Sequence, residues 1–239
     1  MIIIGLTTTV RETKVSNTDK KMATVHCVGS LGNDVPLAVF YTKLSTGHFL
    51  PLHCNHKVTE AEIRLSMAQL PVQSMMFDAA CLASKAGAEQ AIVSDANEVF
   101  INNVLSHHGL NPLFNQGVHT NGGAFTEDGR LDVHPYCPVD APHGCNLCPP
   151  NMCKGSIVDG LLRGSSGKAE RIFDTVIYVG DGGGDFCPTL RLRERDLVLA
   201  RGGGTSGKKY GLYQRIQKRA VSLGMSSASK ELGYWPQSC

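Results

Sequence analysis

The chain has 239 residues, 42% of them hydrophobic and 18% charged, with a formal net charge of +2. That length supports one core burying about three quarters of the unfolded surface, and so small a net charge argues against nucleic acid or a membrane surface as partner. No stretch approaches the roughly 18 apolar residues of a membrane span, and the apolar Met1–Ile4 run, followed by Arg11 and Lys14, is too short for a secretion signal; the expectation is a soluble, cytoplasmic protein.

Residues 1–56 alternate Gly, Thr, Lys and short apolar pieces without clear periodicity, and only Pro36–Tyr41 reads as a strand. Thr59-Glu-Ala-Glu62 ahead of Ile63, Leu65 and Met67 has the spacing of a capping box, so a helix starts there and Pro71 ends it. A second helix is expected over 77–86. It leads into the apolar strand Gln90–Val93, which runs out at Ser94 and Asp95. Asn97 and Glu98 then open an amphipathic helix with Val99, Phe100, Val104 and Leu105 inward and Gly109 as its stop. A serine at a strand end, just before a helix N-terminus, is placed to hold a phosphate. Ser94, Asp95 and Asn97 are equally the residue types that compete to cap such a helix, and the local pattern leaves both readings open.

Further along, Cys145, Cys148 and Cys153, with His143 just before them, contain residue types that ligate zinc. A closed zinc site is commonly built from two separated pairs, whereas these four fall within eleven residues. The favoured reading is a loop that packs and positions Lys154. Without a secretion signal the nine cysteines are expected to be reduced. Lys154 opens a helix carrying Ile157, Val158, Leu161 and Leu162. Val176–Val179 reads as a buried strand that stops at Gly180 and presents Asp181, three glycines and Asp185. Carboxylates at the carboxyl end of a buried strand sit where open α/β sheets build their sites. Two acids on a tight Gly-rich loop suit a hard cation such as Mg²⁺, which takes one or two carboxylates, waters and phosphate oxygens. A short strand at Asp196–Ala200, a Gly202–Gly204 break and a basic helix with a docking apolar side complete the chain.

The order Ser94 on a strand end, Lys154 at a helix start and then the Asp181/Asp185 loop resembles the motif series of the haloacid-dehalogenase superfamily of phosphatases. The segments Ser94–Asn97, His143–Lys154 and Gly180–Pro188 resemble more closely the phosphoethanolamine/phosphocholine phosphatase family, whose relatives act on pyridoxal phosphate, pyrophosphate or thiamine phosphate; the likeness runs from about Lys57 to about Arg201. The resemblance implies an α/β fold, a Rossmann-like parallel sheet with flanking helices and the remnant of a small helical cap. It divides the chain into a divergent segment 1–56, a core 57–205 and a basic helix and tail 206–239. It also implies a phosphatase that hydrolyses small phosphomonoesters through an aspartyl-phosphate with Mg²⁺ as cofactor. Ser94 would bind the phosphate and Lys154 would neutralise it. Asp181 and Asp185 would serve the metal, Asp185 by orienting a metal water or Lys154. Asp95, Asn97 and Gly182 would line the substrate side.

One element of that pattern is missing. The family carries Asp-x-Asp-x-Thr/Ser on its first strand, its first aspartate the nucleophile and its second the general acid/base. This chain contains no Asp-x-Asp: Asp19 and Asp34 lie in polar or turn-like sequence and Asp78 in an expected helix. Either an altered N-terminus replaces the usual start, or the protein is a pseudoenzyme that keeps a Mg²⁺ and phosphate pocket.

Overall fold

A computed structural model of the chain describes residues 1–6, 9–11, 24–26, 59–70, 74–163, 173–202 and 210–222. Its centre is a strand that the sequence pattern does not mark. Ile2–Leu6 (β1) pairs in parallel with Gln90–Asn97 (β4) on one side and Ile177–Gly180 (β7) on the other. The run Ile2-Ile3-Ile4 shows no alternation because β1 is covered on both faces, the pattern of a doubly buried parallel strand. Ile3 is fully buried among Val93, Val158 and Tyr178. Thr9–Arg11 (β2) and Thr24–His26 (β3) form a separate antiparallel pair. Pro36–Tyr41, Asp19 and Asp34 lie outside the described residues.

The sheet continues through Val118–Phe125 (β5), Leu131–His134 (β6) and Leu197–Ala200 (β8) in the order β6-β5-β4-β1-β7-β8, with only β6 antiparallel. This is the α/β sheet with flanking helices that the motif order implied. Starting from β1 the chain builds outward through β4, β5 and β6, then returns to add β7 and β8 on the other side. Strand order therefore reverses at β1, and the crevice at its carboxyl end is where such sheets bind ligands.

Helices cover both faces. On one, Lys154–Arg163 (α4) packs Ile157 and Val158 against Ile3, Val93 and Tyr178. On the other, Glu98–His107 (α3) sets Ile101 and Leu105 on Ile92, with Phe77 of Ser74–Lys85 (α2) alongside. Glu60–Ala68 (α1) begins at Thr59 with both halves of the capping box formed. It packs Met67, with Leu70 just beyond it, against Phe100 and Leu131. Leu65 is 59% exposed. Gly211–Ser222 (α6) docks Leu212 inward, as its pattern suggested, and its first turn bonds to the Asp181 carbonyl through the Leu212 amide at 3.0 Å. Among the described residues no helix is long and apolar enough to cross a membrane.

The central place of β1 has a measurable consequence. Ile3→Ala should lower unfolding free energy by about 2–5 kcal/mol, whereas Leu82→Ala on the exposed side of α2 should change it by less than about 0.5 kcal/mol. Urea denaturation followed by circular dichroism distinguishes the two, and equal midpoints would remove β1 from the core.

Candidate active site

Five acidic or basic side chains, Asp95, Lys154, Asp181, Asp185 and Arg201, meet at the carboxyl end of β1, and one carboxylate organises the rest. Asp185 is fully buried, just after β7 on a 3-10 turn formed by Gly183–Asp185. Its Oδ1 accepts from Lys154 Nζ at 2.8 Å and from the Tyr178 hydroxyl at 3.0 Å. Its Oδ2 accepts from the amides of Asp181 at 3.1 Å and Gly182 at 2.9 Å. Folding the Gly-rich loop back over its own carboxylate thus satisfies two loop amides and buries a lysine at the start of α4. Burial works against the charge on Lys154, but Asp185 and Asp95 outweigh it and hold its pKa above the ordinary lysine value. Burial and the Asp185 charge push the Tyr178 phenol well up, so it stays a neutral donor.

Asp181 is buried beside this pair but bonded differently. Its Oδ1 has no hydrogen-bond partner among the described residues, and its Oδ2 lies 3.9 Å from Nη1 of Arg201. Burial first, then repulsion from Asp185, raises its pKa to about 7, against the pull of Arg201 and Lys154. Arg201, at the carboxyl end of β8, stacks its guanidinium 4.6 Å from the Tyr210 ring centre. Sequence reasoning does not single out Arg201. Its position straight after a parallel strand, on the edge where Asp181 emerges, is the signal that could have found it.

The expected residues from β4 fall into two groups. Asp95 Oδ1 is 4.0 Å from Lys154 Nζ and joins the charged cluster. Ser94 is buried and accepts from the Ala96 amide at 3.2 Å, in register with Leu6 of β1. Asn97 instead caps α3, accepting from the Phe100 amide at 3.0 Å. Asn121 of β5 donates to the carbonyls of Asp95 and Ala96 at 2.9 and 2.8 Å and so braces this strand end. The Gly182 amide is taken by Asp185.

β1 meets this cluster at Gly5. A Cβ on Gly5 would overlap the Tyr178 hydroxyl and the Asp185 carboxylate, so the side chain missing from Gly5 is the one that would face the Lys154–Asp185 pair. No acid precedes Glu12 in the sequence. Asp78 is exposed on α2.

Residues 8–231 match the family described as "Putative Phosphatase". The chain is similar to a thiamine phosphate phosphatase-like protein of Arabidopsis thaliana, 44% identical over 164 residues that cover 68% of this chain and 63% of that protein. Inorganic pyrophosphatase 2 of Arabidopsis thaliana is 39% identical over 150 residues, 62% of this chain and 52% of that one. A pyridoxal phosphate phosphatase of Rattus norvegicus is 30% identical over 178 residues, 73% of this chain and 71% of that one. The chain thus spans between about half and two thirds of the length of the two plant relatives.

The buried pair sets a stability test. Asp185→Asn leaves the Lys154 charge buried without its nearest counter-ion and turns an amide nitrogen toward existing donors. Breaking one side of such a pair typically costs about 3–5 kcal/mol. Chemical denaturation at neutral pH should show a loss of that size, and a loss within error of zero would mean Lys154 is neutralised elsewhere.

Proposed function

The chain belongs to this phosphatase family of the haloacid-dehalogenase type, and on that premise we propose that it binds small phosphomonoesters with Mg²⁺ in the crevice above β1 but is impaired in hydrolysing them. The observation that carries this reading is Gly5. The segment Gly5-Leu-Thr-Thr-Thr9 has the length and final threonine of Asp-x-Asp-x-Thr, with glycine and threonine standing at the two acid positions. Gly5 supports the assignment because its absent side chain is aimed at the Lys154–Asp185 pair. Both halves of the family's double displacement run through those acids: attack on phosphorus, and proton transfer to and from the leaving group and water.

The binding half is retained. A phosphate monoester resists attack because its own charge repels nucleophiles, so cations must screen that charge as it spreads over the equatorial oxygens. Lys154 supplies one cation and Arg201 adds a second within reach of Asp181. Asp181 Oδ1, buried and without a donor among the described residues, is the acceptor that fits Mg²⁺, while Asp185 has both oxygens committed to protein donors. Asp185 therefore serves by orienting Lys154 rather than as a direct ligand. When bound, Mg²⁺ would neutralise phosphate charge and template an in-line approach. Phosphoethanolamine, phosphocholine and pyrophosphate are the substrate class we assign, in keeping with relatives named for pyrophosphate, thiamine phosphate and pyridoxal phosphate. The second reading, a binder with no turnover at all, is favoured by the Tyr178 hydroxyl and Asp185 already occupying the space beside Gly5.

Two measurements test this. The chain itself should hydrolyse p-nitrophenyl phosphate hardly above background, since losing a covalent nucleophile costs on the order of a million-fold. Gly5→Asp/Thr7→Asp, combined with Tyr178→Phe to remove the hydroxyl that a Cβ at position 5 would meet first, should raise Mg²⁺-dependent turnover on the order of a hundred-fold. Robust turnover by the unsubstituted chain would overturn the impairment.

Calorimetry examines the binding half. Mg²⁺ alone should bind weakly, because a single free carboxylate faces it. Adding inorganic phosphate should tighten Mg²⁺ binding, the anion supplying ligand charge while Lys154 holds its other oxygens. Asp181→Asn should abolish that coupling, and equal coupling in the variant would remove Asp181 from the site.

A further inference from the structure

Three cysteines from the loop before α4 meet a fourth from beyond the Gly-rich loop. The sulfurs of Cys145, Cys148, Cys153 and Cys187 all lie within 4.8 Å of one another, and Cys145 and Cys187 are 3.7 Å apart. That fourth sulfur is what the local sequence spacing lacks. Cys187 lies in the first turn of the short helix Phe186–Thr189 (α5), two residues after Asp185. His143, the ligand suggested by proximity in sequence, is engaged otherwise: its Nδ1 accepts from the Cys145 amide at 3.0 Å and its Nε2 faces the Pro149 carbonyl at 2.9 Å.

We propose that Cys145, Cys148, Cys153 and Cys187 hold one structural zinc ion as a closed tetrathiolate site. A tetrahedral zinc with Zn–S bonds of about 2.3 Å has sulfur–sulfur edges of about 3.8 Å, the spacing seen between Cys145 and Cys187. A disulfide requires sulfurs at about 2.05 Å, and an iron–sulfur cluster interposes several irons between its thiolates. A backbone donor and a cation also reach the cluster. The Ser156 amide donates to Cys153 Sγ at 3.4 Å. Arg191 lies beside Cys187, its Nε 3.3 Å from the point where a Gly155 Cβ would meet the Cys187 sulfur. Gly155 is required here, since a Cβ would sit 2.6 Å from the Cys187 sulfur. Cys153 and Cys187 are buried and the other two half-buried, so four ligands close the site with no open position for chemistry.

The ion would tie two segments that are far apart in sequence and adjacent at the active site. Cys153 immediately precedes Lys154, and Cys187 follows Asp185 by two positions. Zinc here fixes the frame in which the Lys154–Asp185 pair forms, whether or not the chain turns over substrate.

The test is metal content. The full chain, purified from zinc-containing medium and desalted, should carry about one zinc per chain by elemental analysis. Cys81→Ser, on α2 away from the cluster, should keep it, while Cys145→Ser and Cys148→Ser should each lose most of it. Refolding the unsubstituted chain with Co²⁺ gives a second readout that no variant's folding can confound: intense sulfur-to-cobalt charge-transfer bands with tetrahedral d–d bands are expected. Folded chain with less than about 0.1 equivalent of zinc and no such bands overturns the proposal. Recovery of the four cysteines as disulfides, or full zinc retention in both serine variants, does so as well.

Discussion

The buried ion pair between Lys154 and Asp185 is the constraint around which this end of the molecule is arranged. An ammonium and a carboxylate removed from water are each costly, and only close pairing with further hydrogen bonds offsets that cost. Asp185 meets the requirement by accepting from a lysine, a phenol and two backbone amides. Three structural facts follow. The Gly-rich loop curls so that the Asp181 and Gly182 amides converge, α4 begins at Lys154, and β1 carries glycine where the Tyr178 hydroxyl and the Asp185 carboxylate crowd it.

The same arrangement explains why one carboxylate is left unsatisfied. With Asp185 saturated, Asp181 sits in a buried setting with one oxygen free of donors among the described residues and only a loosely placed Arg201 for company. Desolvation therefore governs its titration. A buried acceptor of this kind is a costly feature that proteins keep at functional sites. It lies at the position where strand order reverses around β1, so topology and electrostatics locate the site independently.

Two supports lie just outside the charged cluster. Asn121, reaching from β5, holds the carbonyls of Asp95 and Ala96 and fixes the strand end that carries Ser94. The thiol cluster holds the other side, where Cys153 and Cys187 bracket the lysine and its aspartate. Both supports act between segments distant in sequence, and such cross-links turn a set of correctly spaced residues into a rigid constellation.

What the sequence determined was local. Thr59 with Glu62, and Asn97 before an amphipathic run, specify helix starts by short-range hydrogen bonding, and both caps form. Lys154 at a helix start and Gly180-Asp181 at a strand end follow from periodicity and breakers, and the spacing of these motifs was enough to identify the family. Tertiary structure decided the rest. Ile2–Leu6 is too short and too uniformly apolar to declare itself, and becomes a strand only because β4 and β7 pair with it on both sides. Cys187 joins Cys145, Cys148 and Cys153, and Arg201 joins Asp181, only through the sheet register and the return of the chain. Neighbours likewise divide the β4 residues, since Asn97 turns to α3 while Asp95 turns to Lys154. Local propensity carries no information about which distant segment will lie alongside, and burial between those segments assigned each of these residues its partner.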